Sequence, residues 1–222
     1  MPAIFPRWTN TIPVLLGLVA PILGAGAIFT VWYWFSPLYT DVGYQPEQPV
    51  PYSHKLHAGE MGIDCRYCHN TVEYAAVAAI PPTQTCMNCH DGLVTTTNPS
   101  GTYEGRIANL KKSWETGEAI EWVRVHMLPD YAYFNHSPHV AAGVGCASCH
   151  GRIDQMVVVS QDQPLSMGWC LDCHRNPKPN LRPLDQVTNM NWDPDAENYD
   201  PDRDPERKRK VNPPVHCSGC HR

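Results

Sequence analysis

No cysteine in this 222-residue chain stands outside a five-residue pattern that recurs five times. None is left over to join distant parts of the chain, so a scattered disulfide framework is excluded. There is no basic excess: 17 Lys and Arg face 22 Asp and Glu, a formal net charge of −5. That balance argues against nucleic acid as a partner. Between Ile12 and Phe35 there is no Asp, Glu, His, Lys or Arg, so this stretch offers none of the buried ionisable groups that mark a proton-exchanging site within a membrane span. No copy of the recurring pattern has its last residue altered.

What is present is the pattern itself: CRYCH (65–69), CMNCH (86–90), CASCH (146–150), CLDCH (170–174) and CSGCH (217–221). Zinc ribbons and redox dithiols also use Cys-x-x-Cys, but neither needs His after the second Cys. His fills 11 of 222 positions, so chance would put it there about once in twenty copies; here it is there in all five. Covalent haem attachment explains every position. The two thiols add to the two vinyl groups of one haem, and the adjacent imidazole reaches the iron from below. The expectation is five c-type haems. They are held through Cys65, Cys68, Cys86, Cys89, Cys146, Cys149, Cys170, Cys173, Cys217 and Cys220, with His69, His90, His150, His174 and His221 as proximal ligands.

The second axial position decides between catalysis and electron carriage. Six histidines lie outside the five words, and His216 abuts Cys217 too closely to reach the far face of its own haem. His54, His57, His126, His136 and His139 remain, one for each iron, so the count favours bis-His ligation throughout. Met61, Met87, Met127, Met156 and Met167 are alternative ligands. YSHKLH (52–57) precedes the first word and FNHSPH (134–139) the third; both read aromatic, small polar residue, His, two residues, His. An i, i+3 pair shares one side of a helical turn, so each pair can serve two neighbouring haems. His57 and His139 are therefore expected to serve haems other than those whose words come next. The chain reads as two two-haem modules with a fifth haem added.

The uncharged run 12–35 would be about 36 Å long as a helix, enough to cross a hydrocarbon core of about 30 Å. Trp32, Tyr33 and Trp34 suit an interfacial belt, and the run is too long and too aromatic at its end for a cleaved signal. The chain then divides into a cytoplasmic N-terminus (1–11), a transmembrane anchor (12–35) and a Pro-rich spacer (36–51). These are followed by a first two-haem module (52–92), a helical insert (93–125), a second module (126–176) and a Pro- and acid-rich arm with the fifth haem (177–222). Ile107, Leu110 and Trp114 fall at helical spacing, stopped by Gly117. The arm's composition cannot bury much apolar surface and is expected to be ordered by a partner protein. Since apolar side chains alone make a small core, the fold class expected is mainly α with extensive loops: class III-like haem modules behind one N-terminal transmembrane helix.

The segments PYSHKLHAGEMGIDCRYCHNTVEYAAVAAIPPTQTCMNCH, EWVRVHMLPDYAYFNHSPHVAAGVGCASCHG and MGWCLDCHRNP resemble the pentahaem, membrane-anchored cytochrome c subunit of bacterial alternative complex III. The His-x-x-His before the haem words is also similar to class III (cytochrome c3/c7-like) multihaem cytochromes. The resemblance implies a quinol:electron-acceptor oxidoreductase of the cytoplasmic membrane, with the haem domain on the periplasmic side. Its implied partners are polytopic quinol-oxidising subunits, an iron–sulfur, molybdopterin-like subunit, a monohaem cytochrome c subunit and a soluble acceptor. By class III analogy His54 pairs with the haem at His69 and His136 with that at His150; the analogy assigns no partner to His57, His126 or His139. Two rivals are a stand-alone quinol dehydrogenase, which the fifth haem and the long arm disfavour, and a multihaem reductase with an open catalytic haem, which the ligand count disfavours.

Overall fold

The computed structural model describes residues 4–91, 105, 107–193, 195, 197–207 and 210–221. The chain divides into two units, Met1–Thr40 and Asp41–Arg222. In the first, a 3-10 turn at Arg7–Asn10 leads into one helix, Thr11–Trp34. Its apolar residues face outward all round and none is buried. Pro21 lies inside the helix, where the missing N–H leaves a backbone carbonyl free. Rings gather at its C-terminal end: Phe29 stacks on Tyr33 with centroids 6.0 Å apart, and Trp34 meets Tyr39 edge-on at 4.5 Å. Among the described residues this is the one helix long and apolar enough to cross a membrane.

The second unit is built from short helical pieces: Lys55–Glu60, Cys65–Cys68, Thr83–His90, Ala108–Thr116, His136–Ala141, Ala147–His150 and Met167–Arg175. Among the described residues there is no strand, only an isolated antiparallel bridge between Val144 and Leu181. Local sequence starts and stops these pieces. Asp64, Asn135 and Ser166 cap their helices by accepting from Arg66, Ser137 and Trp169 N–H groups, which satisfies otherwise orphaned donors. Gly117 ends Ala108–Thr116 in the left-handed region at φ 73°, a conformation glycine adopts without a Cβ clash.

The apolar core is small. Val50, Met87 and Leu110 are buried together, with Cys86, Ile107, Ile120 and Trp122 packed against them. The spacing Ile107, Leu110, Trp114 forms the expected helix, but Trp114 is 42% exposed. Much of the insert expected at 93–125 lies outside the described residues. The six-residue turn Lys55–Glu60 is a π-type turn, a form found mostly at functional sites. It packs on the Ile153–Gln155 turn, and Lys55 N–H donates to the Met156 carbonyl at 3.0 Å. A Cβ at Gly59 would drive into the Asp154 carbonyl, so only glycine lets the two backbones approach.

The Pro- and acid-rich segment after Pro177, expected to need a partner, makes its contacts with this chain. Leu181 is 2% and Val187 4% exposed. Arg182 lies over the Trp192 ring at 5.1 Å, and its Nη1 donates to the Asn189 carbonyl. Arg207 donates to the carbonyls of Ala142 and Arg182 and to the Tyr199 hydroxyl. A segment poor in apolar residues is thus held by guanidinium groups reaching backbone carbonyls, which each guanidinium can do several times over. Of the basic run 207–210, Lys208 and Arg209 lie outside the described residues. Leu181→Ala should destabilise the folded chain by about 2–5 kcal/mol, read as a lowered urea midpoint at constant m-value.

Candidate haem-binding site

Each Cys-x-x-Cys-His word forms one helical turn, which brings positions i, i+3 and i+4 to the same side. In words one, three and five the His N–H donates to the carbonyl of the first Cys at 2.8, 3.0 and 2.9 Å, closing that turn. No cysteine pairs with another in a disulfide. Among the described residues no group of three or more His, Cys, Asp or Glu converges as a metal-ion cluster.

The histidines meet in pairs across open gaps. The His54 and His69 rings are 6.5 Å apart and nearly parallel (2°), and His136 and His150 repeat this at 6.5 Å and 6°. His57 faces His90 at 6.2 Å and 52°, and His139 faces His174 at 6.1 Å and 41°. The repeat seen in the sequence is therefore a repeat in space: the first His of each His-x-x-His meets the next word's imidazole, and the second meets that of the word after.

Five of these imidazoles, and that of His221, are oriented from behind. Nδ1–H donates to a backbone carbonyl in His69 (Ala79), His57 (Ser53), His136 (Ala76), His139 (Asn135), His174 (Pro214) and His221 (Tyr131), at 2.6 to 3.0 Å. A carbonyl can only accept, so Nδ1 carries the proton and Nε2 keeps its lone pair, the arrangement typical of metal-ligating histidine. Burial favours the neutral, ligating form. Desolvation, then the neighbouring His69, lowers His54 to about 4, and desolvation, then His126, lowers His150 to about 3. His90, His126 and His139 are also lowered by burial. His54 and His90 leave Nδ1 buried without a partner.

These residues fit a haem at each pair. Two metal–imidazole bonds of about 2 Å and two half-rings of about 1 Å add to roughly 6 Å between ring centres, the separation found four times. The fifth word differs. Among the described residues His221 meets no second imidazole, only the Tyr131 ring at 5.8 Å. His126, expected as an axial ligand, lies with Nε2 3.1 Å from His150 Nδ1, its ring edge-on to that of His150 at 4.4 Å. The physical reason is local: buried Gln161 accepts from the Met127 N–H at 2.7 Å and holds this segment against the third word. His216 turns back on Ser218. Of the candidate methionines, Met87 is in the apolar core, Met61, Met127 and Met167 are exposed, and the Met156 sulfur accepts from Ser160.

Residues 132–222 match the family described as cytochrome c7 and related cytochrome c. The stretch is a cytochrome c7-like multihaem domain. Over 139 residues the chain is 32% identical to the menaquinone reductase, multihaem cytochrome c subunit, of Nitratidesulfovibrio vulgaris (strain Hildenborough). The match covers 62% of this chain, and the chain spans 58% of that relative's length. The c7-like region holds the last three words, and the first pair of words repeats the design of its opening portion.

Two aromatic residues matter that the sequence marked only as part of a repeat. Tyr52 stands edge-on to His54 (4.8 Å, 86°) and stacks on His57 (4.4 Å, 25°). Phe134 does the same to His136 (4.7 Å, 85°) and His139 (4.7 Å, 32°). Each ring packs against both imidazoles of its His-x-x-His and so fixes their relative tilt. The Tyr52 hydroxyl titrates well above its usual range through burial, then through the thiols at 68, 86 and 65, so it stays a neutral packing ring. Because the angle between axial imidazole planes sets ferric rhombicity, the cytochrome c7-like region and its repeat should give two low-spin classes by electron paramagnetic resonance. The near-parallel pairs, His54/His69 and His136/His150, should be the more rhombic.

Proposed function

We propose that this chain is the pentahaem electron-transfer subunit of a membrane quinol:electron-acceptor oxidoreductase of the alternative complex III kind. It would relay electrons from an iron–sulfur subunit to an acceptor outside the cytoplasmic membrane. The observation that carries this reading is the fourfold repetition of facing imidazoles 6.1 to 6.5 Å apart. A c-type haem supplies a one-electron couple at such a site. The chain's own residues do the rest. The ten cysteines anchor five macrocycles, and His69, His90, His150, His174 and His221 hold the proximal sides. His54, His57, His136 and His139 close the distal sides at four of them, leaving no face for substrate. The backbone carbonyls behind Nδ1 fix each ring's orientation and strengthen it as a donor.

The absence of any charged or histidine side chain from Thr11 to Trp34 supports anchoring without quinol chemistry, since a head-group site needs proton acceptors. Quinol oxidation is then the work of polytopic partner subunits, and the acceptor is a monohaem cytochrome, a blue-copper protein or an oxidase. Haem attachment occurs outside the cytoplasmic membrane, which sets the haem unit on that side. The relative's description as a menaquinone reductase subunit favours a second reading, in which electrons run the other way, from a soluble donor towards menaquinone.

His57→Ala and His139→Ala should each leave the haem covalently attached but convert one low-spin centre per chain to a five-coordinate, high-spin one with a raised potential. Unchanged low-spin spectra in both variants would remove these residues from the ligand set. Mixed with a menaquinol analogue, the isolated holocytochrome should show no rapid reduction until partner subunits are restored. Fast, inhibitor-sensitive reduction of the chain alone would make it a quinol dehydrogenase in its own right. In the restored complex, reduction of added menaquinone by pre-reduced cytochrome, without the reverse reaction, would favour the second reading.

A further inference from the structure

The order of the five words along the chain is not their order in space. Words one and two touch directly: Asn88 of the second donates to the Tyr67 hydroxyl of the first at 3.1 Å. Word one's other side meets word three. Adjacent residues staple the two, since Cys146 N–H donates to the Val187 carbonyl at 3.0 Å and the Thr188 hydroxyl donates to Asp64, the cap of the first word, at 2.9 Å. Words three and four share Asn180, whose carbonyl accepts from Gly145 N–H at 3.3 Å and whose amide donates to Cys173 Sγ at 3.6 Å. Words four and five meet at Pro214, which accepts from His174 Nδ1–H at 2.6 Å and packs its ring on Gly219.

These contacts make a single path. We infer that the five words form one unbranched relay in the order 86–90, 65–69, 146–150, 170–174, 217–221, with the second and fifth words as its two ends. An independent observation agrees: of the ten cysteines only Cys89 and Cys217 are exposed, one in each end word, while all eight others are partly buried. A thioether edge open to solvent is where an electron can reach a partner. The first word, which comes first in sequence, lies inside the relay. One electron taken from a reduced iron–sulfur centre at one end leaves to an oxidised one-electron carrier at the other, and the chain's redox state is unchanged. The inference rests on the pentahaem electron-carrier reading proposed above and adds its route.

The test is a haem-resolved redox titration of the full-length holocytochrome by exchange NMR of the haem methyl groups. Sites are assigned through axial variants that keep coordination, such as His57→Met and His139→Met. Where a variant does not assemble, nuclear Overhauser contacts to Tyr67, Asn180 and Pro214 in the wild type make the assignment. Reducing one site shifts its neighbours by Coulomb repulsion, which falls with distance, so consecutive pairs should couple about twofold or more above pairs one step further apart. The expected strong pairs are second with first, first with third, third with fourth, and fourth with fifth. A strong coupling of the second site to the third, fourth or fifth would overturn the order. Fewer than five sets of haem methyl signals would instead overturn the pentahaem reading, so the two failures are distinguishable.

Discussion

A backbone carbonyl behind an imidazole is the interaction on which the second unit depends. Six Nδ1–H groups end on such carbonyls; for His69, His136, His174 and His221 the partner lies ten or more residues away in the chain. Residues 70–79 curl so that Ala76 and Ala79 present oxygens to His136 and His69. One loop thereby orients an imidazole of the first module and one of the second. The loops are long because they serve as scaffolding for ring nitrogens, and because the apolar core they surround is minimal.

That minimal core explains why the arm is so polar and yet ordered. The buried apolar residues Val50, Met87, Leu110, Leu181 and Val187 are too few to hold the described loops by the hydrophobic effect alone. Each full burial contributes only about 1.5–3 kcal/mol. Guanidinium groups take over: Arg182 and Arg207 each satisfy carbonyls from other segments of the chain. The remaining cohesion falls to the flat macrocycles that the paired imidazoles are spaced to receive. A chain of this kind has little independent reason to fold without them.

The two aromatic wedges connect this architecture to electron transfer. Tyr52 and Phe134 each touch two distal imidazoles, so the relative tilt of two neighbouring sites is set by one rigid ring. That unit is used twice, and the Thr188 hydrogen bond to Asp64 helps to join the two copies. His126 lies against His150, with Nε2 3.1 Å from His150 Nδ1.

By itself the sequence determined the chemistry. Five Cys-x-x-Cys-His words that use all ten cysteines point to covalently held c-type haem through their spacing alone, and an uncharged apolar run of this length marks a candidate membrane span. It also determined the local pairs, because i, i+3 and i, i+4 positions on one helical turn must face the same way. Only the tertiary structure decided which word neighbours which, that His126 joins the third word, that Trp114 stays at the surface, and that the arm is held by its own chain. These depend on hydrogen bonds between residues tens of positions apart, such as Thr188 to Asp64 and Arg207 to Ala142. The loops between them can close in many ways at similar entropic cost, so their spacing in sequence carries no record of the partner they find.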